Sequence, residues 1–297
     1  MHSYLRAIGF SNIINKQQMD NLLGEVMTTP NVKVEKIINM RERFVEISKE
    51  FCEGTVIKIV GYYDSKNFFH VDHYYPFLLN DNISIEEEVY FNKEIDNIAY
   101  SCLCDDMRLG VALIFYLQNV VDYMWVFDNN KKDMISFPIS LSGLSNSGKI
   151  ILPVMKGEKA LMKKIRKRNT REKLIAEAKK GNKEAFDKIT SNDIDTYHNI
   201  SKRVKNEDIY SIVDNSFYPF GEELSTYTMI GTIMKYSLIS NPITNEDIYQ
   251  LYVECNDVPI LVCINKKDLL GVPMEGARFK GNIWLQGNID FKKDIYP

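Results

Sequence analysis

Three short stretches carry residue types at spacings that could support chemistry. Residues 143–149 match the Gly-x4-Gly-Lys outline of a loop that binds nucleotide phosphates. Residues 265–268 read Asn-Lys-Lys-Asp, which is the guanine-reading motif of GTPases. His70, Asp72 and His73 place three side chains that can bind a metal within four residues. If the surrounding elements position these groups, the chain would be a nucleotide hydrolase or a metal enzyme.

The phosphate-loop outline fails on the residue and on the element that follow it. Such a loop needs a Ser or Thr after the lysine to hold Mg²⁺, and a helix whose N-terminus faces the phosphates. Here Ile150 follows Lys149, and residues 150–154 are β-favouring and include a proline. We therefore predict a β-hairpin, in which residues 143–148 form the loop and Ile151 contributes to a buried strand face.

The guanine-reading motif also lacks its context. A GTPase needs an Asp-x-x-Gly switch motif between its phosphate loop and this point, and none occurs between Lys149 and Asn265. Asn and Asp around two lysines also make an ordinary polar turn at the end of a strand. We interpret both nucleotide motifs, 143–149 and 265–268, as mimics. Neither ATP nor GTP is predicted to bind through Lys149 or Asp268.

The histidine cluster is interpreted as structural. On a strand, His70 and Asp72 point to one face and His73 points to the other, so that one strand presents at most two ligands to a metal. Cys102 and Cys104 would share a strand face, and we interpret them as buried free thiols. No serine lies in a nucleophile-elbow pattern. The sequence therefore predicts no metal and no cofactor, and it identifies no catalytic residues.

One segment has a charge pattern that suggests an acidic partner. Residues 156–183 contain twelve lysines and arginines against three glutamates, a local net charge of +9 in a chain whose formal net charge is −3. On a helix, Lys163, Lys167 and Arg171 stack at four-residue spacing, and Arg166 adjoins them. These four are the candidate contacts to an acidic partner such as a phosphate backbone.

Two observations limit that interpretation. No aromatic residue occurs from Lys156 to Ala185, so there is no platform on which bases could stack. The rest of the chain is acidic and can neutralise the segment internally. We predict at most weak, salt-sensitive, sequence-independent binding of nucleic acid. The alternative is a set of solvated helices that rest on their own protein.

The fold class predicted from periodicity is α+β. Residues 1–155 form a strand-rich region, 156–213 a basic helical segment, and 214–297 a second strand-rich region. No proline-rich or glycine-rich linker separates them, so all three can belong to one compact body.

Within these regions, local signals predict individual elements. A helix is expected from Lys16 to Met27 with Asn15 as its cap, and strands at 55–63 and 68–79 are expected to join through a turn at 64–67. Further helices are expected to begin at three capping patterns, and Gly181 to end one helix. Those patterns are residues 169–172, 190–193 and 206–208.

The composition of the chain indicates the cellular compartment in which the protein folds. Hydrophobic residues make up 45% and charged residues 26%, the balance of a soluble globular protein. The longest apolar run, 111–127, is interrupted by polar residues and is too short to cross a bilayer, so we interpret it as core. The N-terminal residues lack the pattern of a secretory signal. Five cysteines without a CxxC pair suit a reducing environment, and we predict a cytoplasmic protein without a membrane segment.

Several phrases together resemble a known family. They are YLRAIGFS (4–11), LIFYLQN (113–119), LSGLSNSGKIILP (141–153), NEDIYSIVDNSFYPFGEE (206–223) and CINKKDLLGVPMEGARFKGNIWLQG (263–287). The chain is similar over nearly its whole length to an uncharacterised clostridial (Firmicutes) family known only as a domain of unknown function. In that family's pattern an acidic residue precedes Pro273 and an arginine precedes Arg278, whereas this chain has Val272 and Ala277. The resemblance implies a soluble bacterial protein, and it supplies no reaction, ligand or catalytic residue.

The functional expectation follows from the failure of each catalytic motif. We predict a non-catalytic binding or regulatory protein whose partner is an unknown protein or small molecule. The first alternative is an enzyme whose site is assembled from residues far apart in sequence. The second is a weak nucleic-acid binder that acts through the basic helices. A pocket with convergent polar groups would favour the enzyme, and a flat basic face would favour nucleic acid.

Overall fold

The computed structural model describes residues 2–39, 42–93, 99–127, 136–152, 158–203 and 213–291. The chain divides into two compact units: Met1–Ile150 together with Ser216–Pro297, and Ile151–Asn215. The first unit is rich in strands and the second is helical, so the predicted α+β class is confirmed.

The larger unit is built mainly of strands. Its helices are α1 (Lys16–Thr28) and α2 (Val120–Phe127), with 3-10 turns at Ser3–Ile8 and Lys266–Asp268. Its strands are β1 Val32–Asn39, β2 Glu42–Cys52, β3 Thr55–Tyr63, β4 Phe69–Leu78, β5 Ile85–Glu88, β6 Tyr90–Lys93, β7 Tyr100–Asp106, β8 Val111–Leu117, β9 Ser136–Ile151, β10 Ser216–Pro219, β11 Thr226–Ser240, β12 Asp247–Cys255, β13 Val258–Asn265, β14 Leu269–Leu270 and β15 Arg278–Ile289.

Strands β1 to β4 form one antiparallel sheet in sequence order, and α1 packs on β2 and β3. Helix α1 begins where predicted, because Asn15 accepts a hydrogen bond from the backbone N–H of Gln18 and completes a capping box. The predicted turn between β3 and β4 is also confirmed. Asn67 adopts a positive φ of 63°, which asparagine tolerates better than most residues.

A β-bulge interrupts the pairing of β3 with β4. Val60 pairs with His73 and Gly61 pairs with Val71, so that Asp72 is the extra residue. A Cβ at position 61 would lie 2.3 Å from the carbonyl oxygen of His70, which only glycine avoids. The bulge ends the strict alternation of side chains along β4.

The second sheet contains the remaining strands of the larger unit, and part of it closes on itself. In hydrogen-bonded order β11, β12, β13, β9 and β15 follow one another, and β15 pairs again with β11. These five strands therefore form a closed ring. Strands β8, β7 and β6 extend the sheet beyond β15. The two sheets share one hydrophobic core.

The predicted hairpin at 143–148 is wrong. These residues lie inside β9, which runs without a turn from Ser136 to Ile151 and pairs in parallel with β13 and β14. A Cβ at Gly148 would lie 2.5 Å from the ring of Phe279, so this glycine allows close packing instead of a turn. Ile151 is half-buried at the end of the strand. Lys149 is followed by Ile150 and Ile151 of the same strand, where a phosphate loop would have the start of a helix.

The smaller unit contains α3 (Glu158–Lys179) and α4 (Lys183–Arg203). Gly181, at a φ of 86°, makes the turn between them as predicted. The helix starts predicted at 169–172 and 190–193 are wrong, because both lie inside continuous helices where the backbone already bonds to itself. The pattern at 206–208 lies outside the described residues. Among the described helices of both units, none is long and apolar enough to span a membrane.

Candidate functional site

A cleft of about 690 Å³ opens on the larger unit where α1 faces β4 and the N-terminal residues. We call it the His73 cleft. Helix α1 supplies one wall and the bulged part of β4 supplies the other. Its lining residues are His2, Asp20, Leu23, Met27, Val71, Asp72, His73 and Tyr74.

A chain of hydrogen bonds lies in the β4 wall of the His73 cleft. Nδ1 of His73 lies 2.7 Å from the carboxylate of Asp72, and Nε2 lies 2.9 Å from the hydroxyl of Tyr116. In the tautomer with its hydrogen on Nδ1, the ring donates to Asp72 and accepts from Tyr116. Tyr116 is a buried residue of β8. The side chains of Asp72 and His73 remain 20% and 15% exposed, so both are accessible from the cleft.

The prediction that Asp72 and His73 face opposite sides of β4 is wrong. Asp72 is the extra residue of the bulge, so the two neighbouring side chains meet. His70 lies apart from them at the exposed start of the strand, where its Nε2 is 3.0 Å from the carboxylate of Asp64. The three candidate ligands therefore do not converge. Among the described residues, no group of three His, Cys, Asp or Glu side chains is placed to hold a metal.

Aromatic rings pack against the imidazole of His73 and against one another. His73 stacks on Tyr75 with ring centroids 5.7 Å apart, and Tyr75 meets the ring of Tyr116 edge-on at 4.8 Å. Trp284 packs against both tyrosines and against His2, whose ring lies 4.7 Å away. These packed rings fix the orientation of His73.

The groups around the cleft have shifted proton affinities. Burial is the main cause that lowers the pKa of His2 to about 4, so this ring is neutral at pH 7. Burial and the charge of Glu223 raise the pKa of Tyr4 to about 12. Burial also raises the pKa of Tyr74. The acidic residues of the lining are Asp20 and Asp72.

A second polar network lies in the interior near the cleft. The hydroxyl of Tyr75 and the ammonium of Lys58 both donate to the carbonyl of Gln118. Lys58 also pairs with the carboxylate of Glu46 at 3.0 Å, and both side chains are buried. Oε1 of Glu46 has no hydrogen-bond partner. Burial raises the pKa of Glu46 although the charge of Lys58 opposes the shift.

The Asn265–Asp268 motif forms a short 3-10 turn directly after β13, which confirms the predicted polar turn at a strand end. Its side chains hold the N-terminal segment in place. Asn265 is buried and donates to the carbonyl of Arg6 and to the carboxylate of Glu246, while Asp268 forms an ion pair with the guanidinium of Arg6.

Glu246 is the centre of this arrangement. It accepts hydrogen bonds from Ser11, Asn265 and Lys267. Burial raises the pKa of Glu246, but these three donors outweigh it and hold the pKa below its ordinary value. The side chains of the Asn-Lys-Lys-Asp motif therefore hold residues 6–11 against the sheet. This structural role explains the motif without a bound nucleotide.

The cysteines contribute to the core. Cys102 and Cys104 lie on β7 and are fully buried, as predicted, and burial raises the pKa of each thiol. All five cysteines are free. A thiol of raised pKa is a poor nucleophile at neutral pH, so these residues do not suit nucleophilic catalysis.

The four basic candidates lie on α3 in the smaller unit. Lys163 falls in the helix, and its side chain lies outside the described residues. Arg166, Lys167 and Arg171 line a cleft of about 620 Å³ between α3 and α4. The opposite wall carries two carboxylates, Asp193 and Asp195, and Arg171 binds Asp193 at 2.6 Å.

This interhelical cleft is therefore of mixed charge. Carboxylates beside the basic row repel a phosphate backbone, so the arrangement differs from the flat basic face that nucleic-acid binding would favour. The ion pair between Arg171 and Asp193 supports the alternative that the basic helix is neutralised by its own protein.

Sequence reasoning missed most of the His73 cleft. Tyr116 lies 43 residues after His73, and Asp20 lies on α1, more than 50 residues before it. The signal that could have helped is the pair of adjacent polar residues, Asp72 and His73, in an otherwise aromatic strand. Polar neighbours in such a strand indicate a bulge or a site.

A family model described as "Domain of unknown function, E. rectale Gene description (DUF3881)" matches residues 5–287. The chain therefore belongs to this family. No curated protein and no solved structure matches the chain.

Proposed function

We propose that this member of the DUF3881 family is a non-catalytic binding or regulatory protein that takes a small organic molecule in the His73 cleft. The observation that carries the proposal is the hydrogen-bonded chain from Asp72 through His73 to Tyr116 in the cleft wall. A buried or half-buried polar chain of this kind fixes the positions of groups that a ligand would contact.

The lining indicates the chemical class of the ligand. Asp20 and Asp72 supply carboxylates that only accept hydrogen bonds, and Leu23, Met27 and Val71 supply apolar surface. A primary amine attached to an aliphatic or aromatic group satisfies both. The five free cysteines support a reducing compartment such as the cytoplasm as the place of action.

Binding is favoured over catalysis because the imidazole is already engaged. A general base needs a ring nitrogen within reach of the substrate. Both nitrogens of His73 are held by protein groups, Asp72 on one side and Tyr116 on the other. In this arrangement His73 positions its neighbours and has no free lone pair for a substrate.

The second candidate is an acid–base enzyme, and the same chain favours it. Asp72 and His73 come from β4 and Tyr116 comes from β8, so the groups are assembled from separate parts of the sequence. A substrate that displaced the Tyr116 hydroxyl from Nε2 would meet an imidazole oriented by a carboxylate, which is the arrangement of a general base. Turnover of a bound amine would favour this candidate.

The test is the thermal unfolding of the full chain with hexylamine, phenethylamine and hexanoate as probes. We expect the two amines to raise the unfolding midpoint and hexanoate to leave it unchanged. Asp72→Asn and His73→Gln should abolish the rise. His70→Gln is the matched control, because it removes an aspartate-bonded histidine from the same strand outside the cleft. Equal responses to amines and to hexanoate would refute the proposal.

A further inference from the structure

The outer edge of β11 from Met234 to Ser240 is open. Along residues 226–232 the strand pairs with β15, and along residues 232–240 it pairs with β12. On the β15 side, the last backbone hydrogen bonds are those of Ile233. Beyond the bulge at Met234, no other described strand pairs with the side of β11 that faces away from β12.

The backbone direction along this edge follows from the adjacent hairpin. The N–H of Asn241 donates to the carbonyl of Glu246 at 2.9 Å. Asn241 therefore turns its backbone polar groups toward β12. Hydrogen-bonded and non-bonded pairs alternate along an antiparallel ladder, so Ile239 and Ser237 turn their N–H and C=O groups toward β12 as well. Tyr236 and Leu238 turn theirs outward. This edge therefore offers strand-type donors and acceptors that no described residue satisfies.

The side chains on one face of β12 and β11 form an apolar layer that is buried on β12 and exposed on β11. Tyr236 pairs with Leu251 and Leu238 pairs with Tyr249 across the two strands. Leu251 and Tyr249 are buried, whereas Tyr236 and Leu238 are 44% and 48% exposed. An added strand would extend this layer and cover the two exposed side chains.

We propose that a second copy of this chain pairs with the β11 edge in antiparallel orientation about a two-fold axis at Ser237. In this register Tyr236 of each copy forms a bonded pair with Leu238 of the other, and the interface contains four backbone hydrogen bonds. The same patch serves both copies, as a two-fold interface requires. Tyr236 of one copy also packs beside Leu238 of the other on the apolar face.

The charges along the edge allow this pairing. Lys235 is the only charged residue between Met234 and Ser240. In the proposed register it lies opposite Ile239 of the second copy, so no like charges face each other. The nearby carboxylate of Asp247 already binds Lys266 at 2.9 Å and adds no unbalanced charge. An edge with a single lysine lacks the repeated charges that protect strand edges from pairing.

The first test is the mass of the full chain in solution, measured by sedimentation over a range of concentrations. We expect a concentration-dependent dimer. Leu238→Lys and Tyr236→Lys should each weaken it by about tenfold or more, because each places a charge on the apolar face. Ile243→Lys is the matched control, since Ile243 is similarly exposed at 47% in the adjacent turn and lies off the edge.

The second test fixes the register. Residues opposite each other in a non-bonded antiparallel pair have Cα atoms about 4.5 Å apart, which is within the range of a disulfide. In a Cys52→Ser background, where the remaining cysteines are buried, Ser237→Cys should form an intermolecular disulfide and Ile243→Cys should not. A chain that stays monomeric at every concentration would overturn the proposal. A dimer that neither Leu238→Lys nor Tyr236→Lys weakens would also overturn it.

Discussion

The imidazole of His73 donates to the carboxylate of its own sequence neighbour, Asp72, at 2.7 Å. Adjacent residues of a regular strand face opposite sides, so this bond exists only because Asp72 is the extra residue of a β-bulge. The bulge places an acid and an imidazole together in the wall of a cleft, and Tyr116 continues the chain into the core.

The first prediction concerns this chain in the absence of a ligand. His73→Gln should lower the free energy of unfolding by about 1–3 kcal/mol, because the hydrogen bond between the imidazole and the hydroxyl of Tyr116 is lost. His70→Gln should change it by less than about 0.5 kcal/mol, because His70 is exposed. Urea unfolding of both variants measures the difference. Equal effects would show that the bond to Tyr116 contributes nothing.

The second prediction concerns the buried ion pair. Lys58→Met should cost about 3–5 kcal/mol, because it leaves the buried carboxyl group of Glu46 without its counter-charge. A double variant, Glu46→Leu with Lys58→Met, should be more stable than Lys58→Met alone. Lys49→Met, on the neighbouring strand β2, breaks a more exposed pair with Glu25 of α1 and should cost no more than about 1 kcal/mol. Additive losses in the double variant would contradict the account.

The third prediction concerns pH. The pKa of His2 is about 4 in the folded protein against an ordinary value of 6.5. Between these values the unfolded chain binds the extra proton, so stability falls as the pH falls from 6.5 toward 4. At pH 5 the loss relative to neutral pH is about 2 kcal/mol from this group.

Urea unfolding at pH 7 and pH 5 tests this linkage. The His2→Gln variant should lose less stability than the wild type over that interval, by roughly the 2 kcal/mol assigned to His2. An unchanged slope in His2→Gln would mean that His2 titrates normally in the folded protein.

The fourth prediction separates the two ends of the Asn-Lys-Lys-Asp turn. Asn265→Ala should cost about 2 kcal/mol or more, because it removes a buried donor to the carbonyl of Arg6 and one of the three residues that donate to the carboxylate of Glu246. Asp268→Ala removes an ion pair to a guanidinium that is 45% exposed and should cost about 1 kcal/mol or less. The measurement is again urea unfolding.

The same turn is predicted to have no nucleotide function. GTP and ATP should show no binding to the wild type by isothermal titration. Binding at micromolar concentration that disappeared in Lys149→Ala or Asp268→Ala would reverse the interpretation of both motifs.

Local signals determined the parts of the fold that could be predicted. Asn15 starts α1 because its side chain bonds a backbone N–H three residues later, and Asn67 makes the β3–β4 turn because it tolerates a positive φ. Both depend only on neighbours in sequence. The continuous strand β9 depends instead on Phe279, whose ring fills the space that a side chain at Gly148 would occupy. No local pattern reveals such a contact.

The candidate site could not be predicted for the same reason. The bulge at Asp72 depends on the close approach of Gly61 to the carbonyl of His70, and the partner of His73 is Tyr116 on another sheet. The alternation of side chains along a regular strand predicted that Asp72 and His73 would lie on opposite faces. Long-range pairing placed Asp72 and His73 on one wall.

The central claim is that a small amine binds in the His73 cleft, and methyl NMR of the full chain tests it most directly. Titration with phenethylamine should shift the methyl signals of Leu23, Met27 and Val71, which line the cleft. The methyl signals of Leu238 and Ile243, which do not line it, should stay unchanged. The shifts should disappear in Asp72→Asn and persist in His70→Gln. Shifts that were absent from the three cleft residues, or that persisted in Asp72→Asn, would contradict the account.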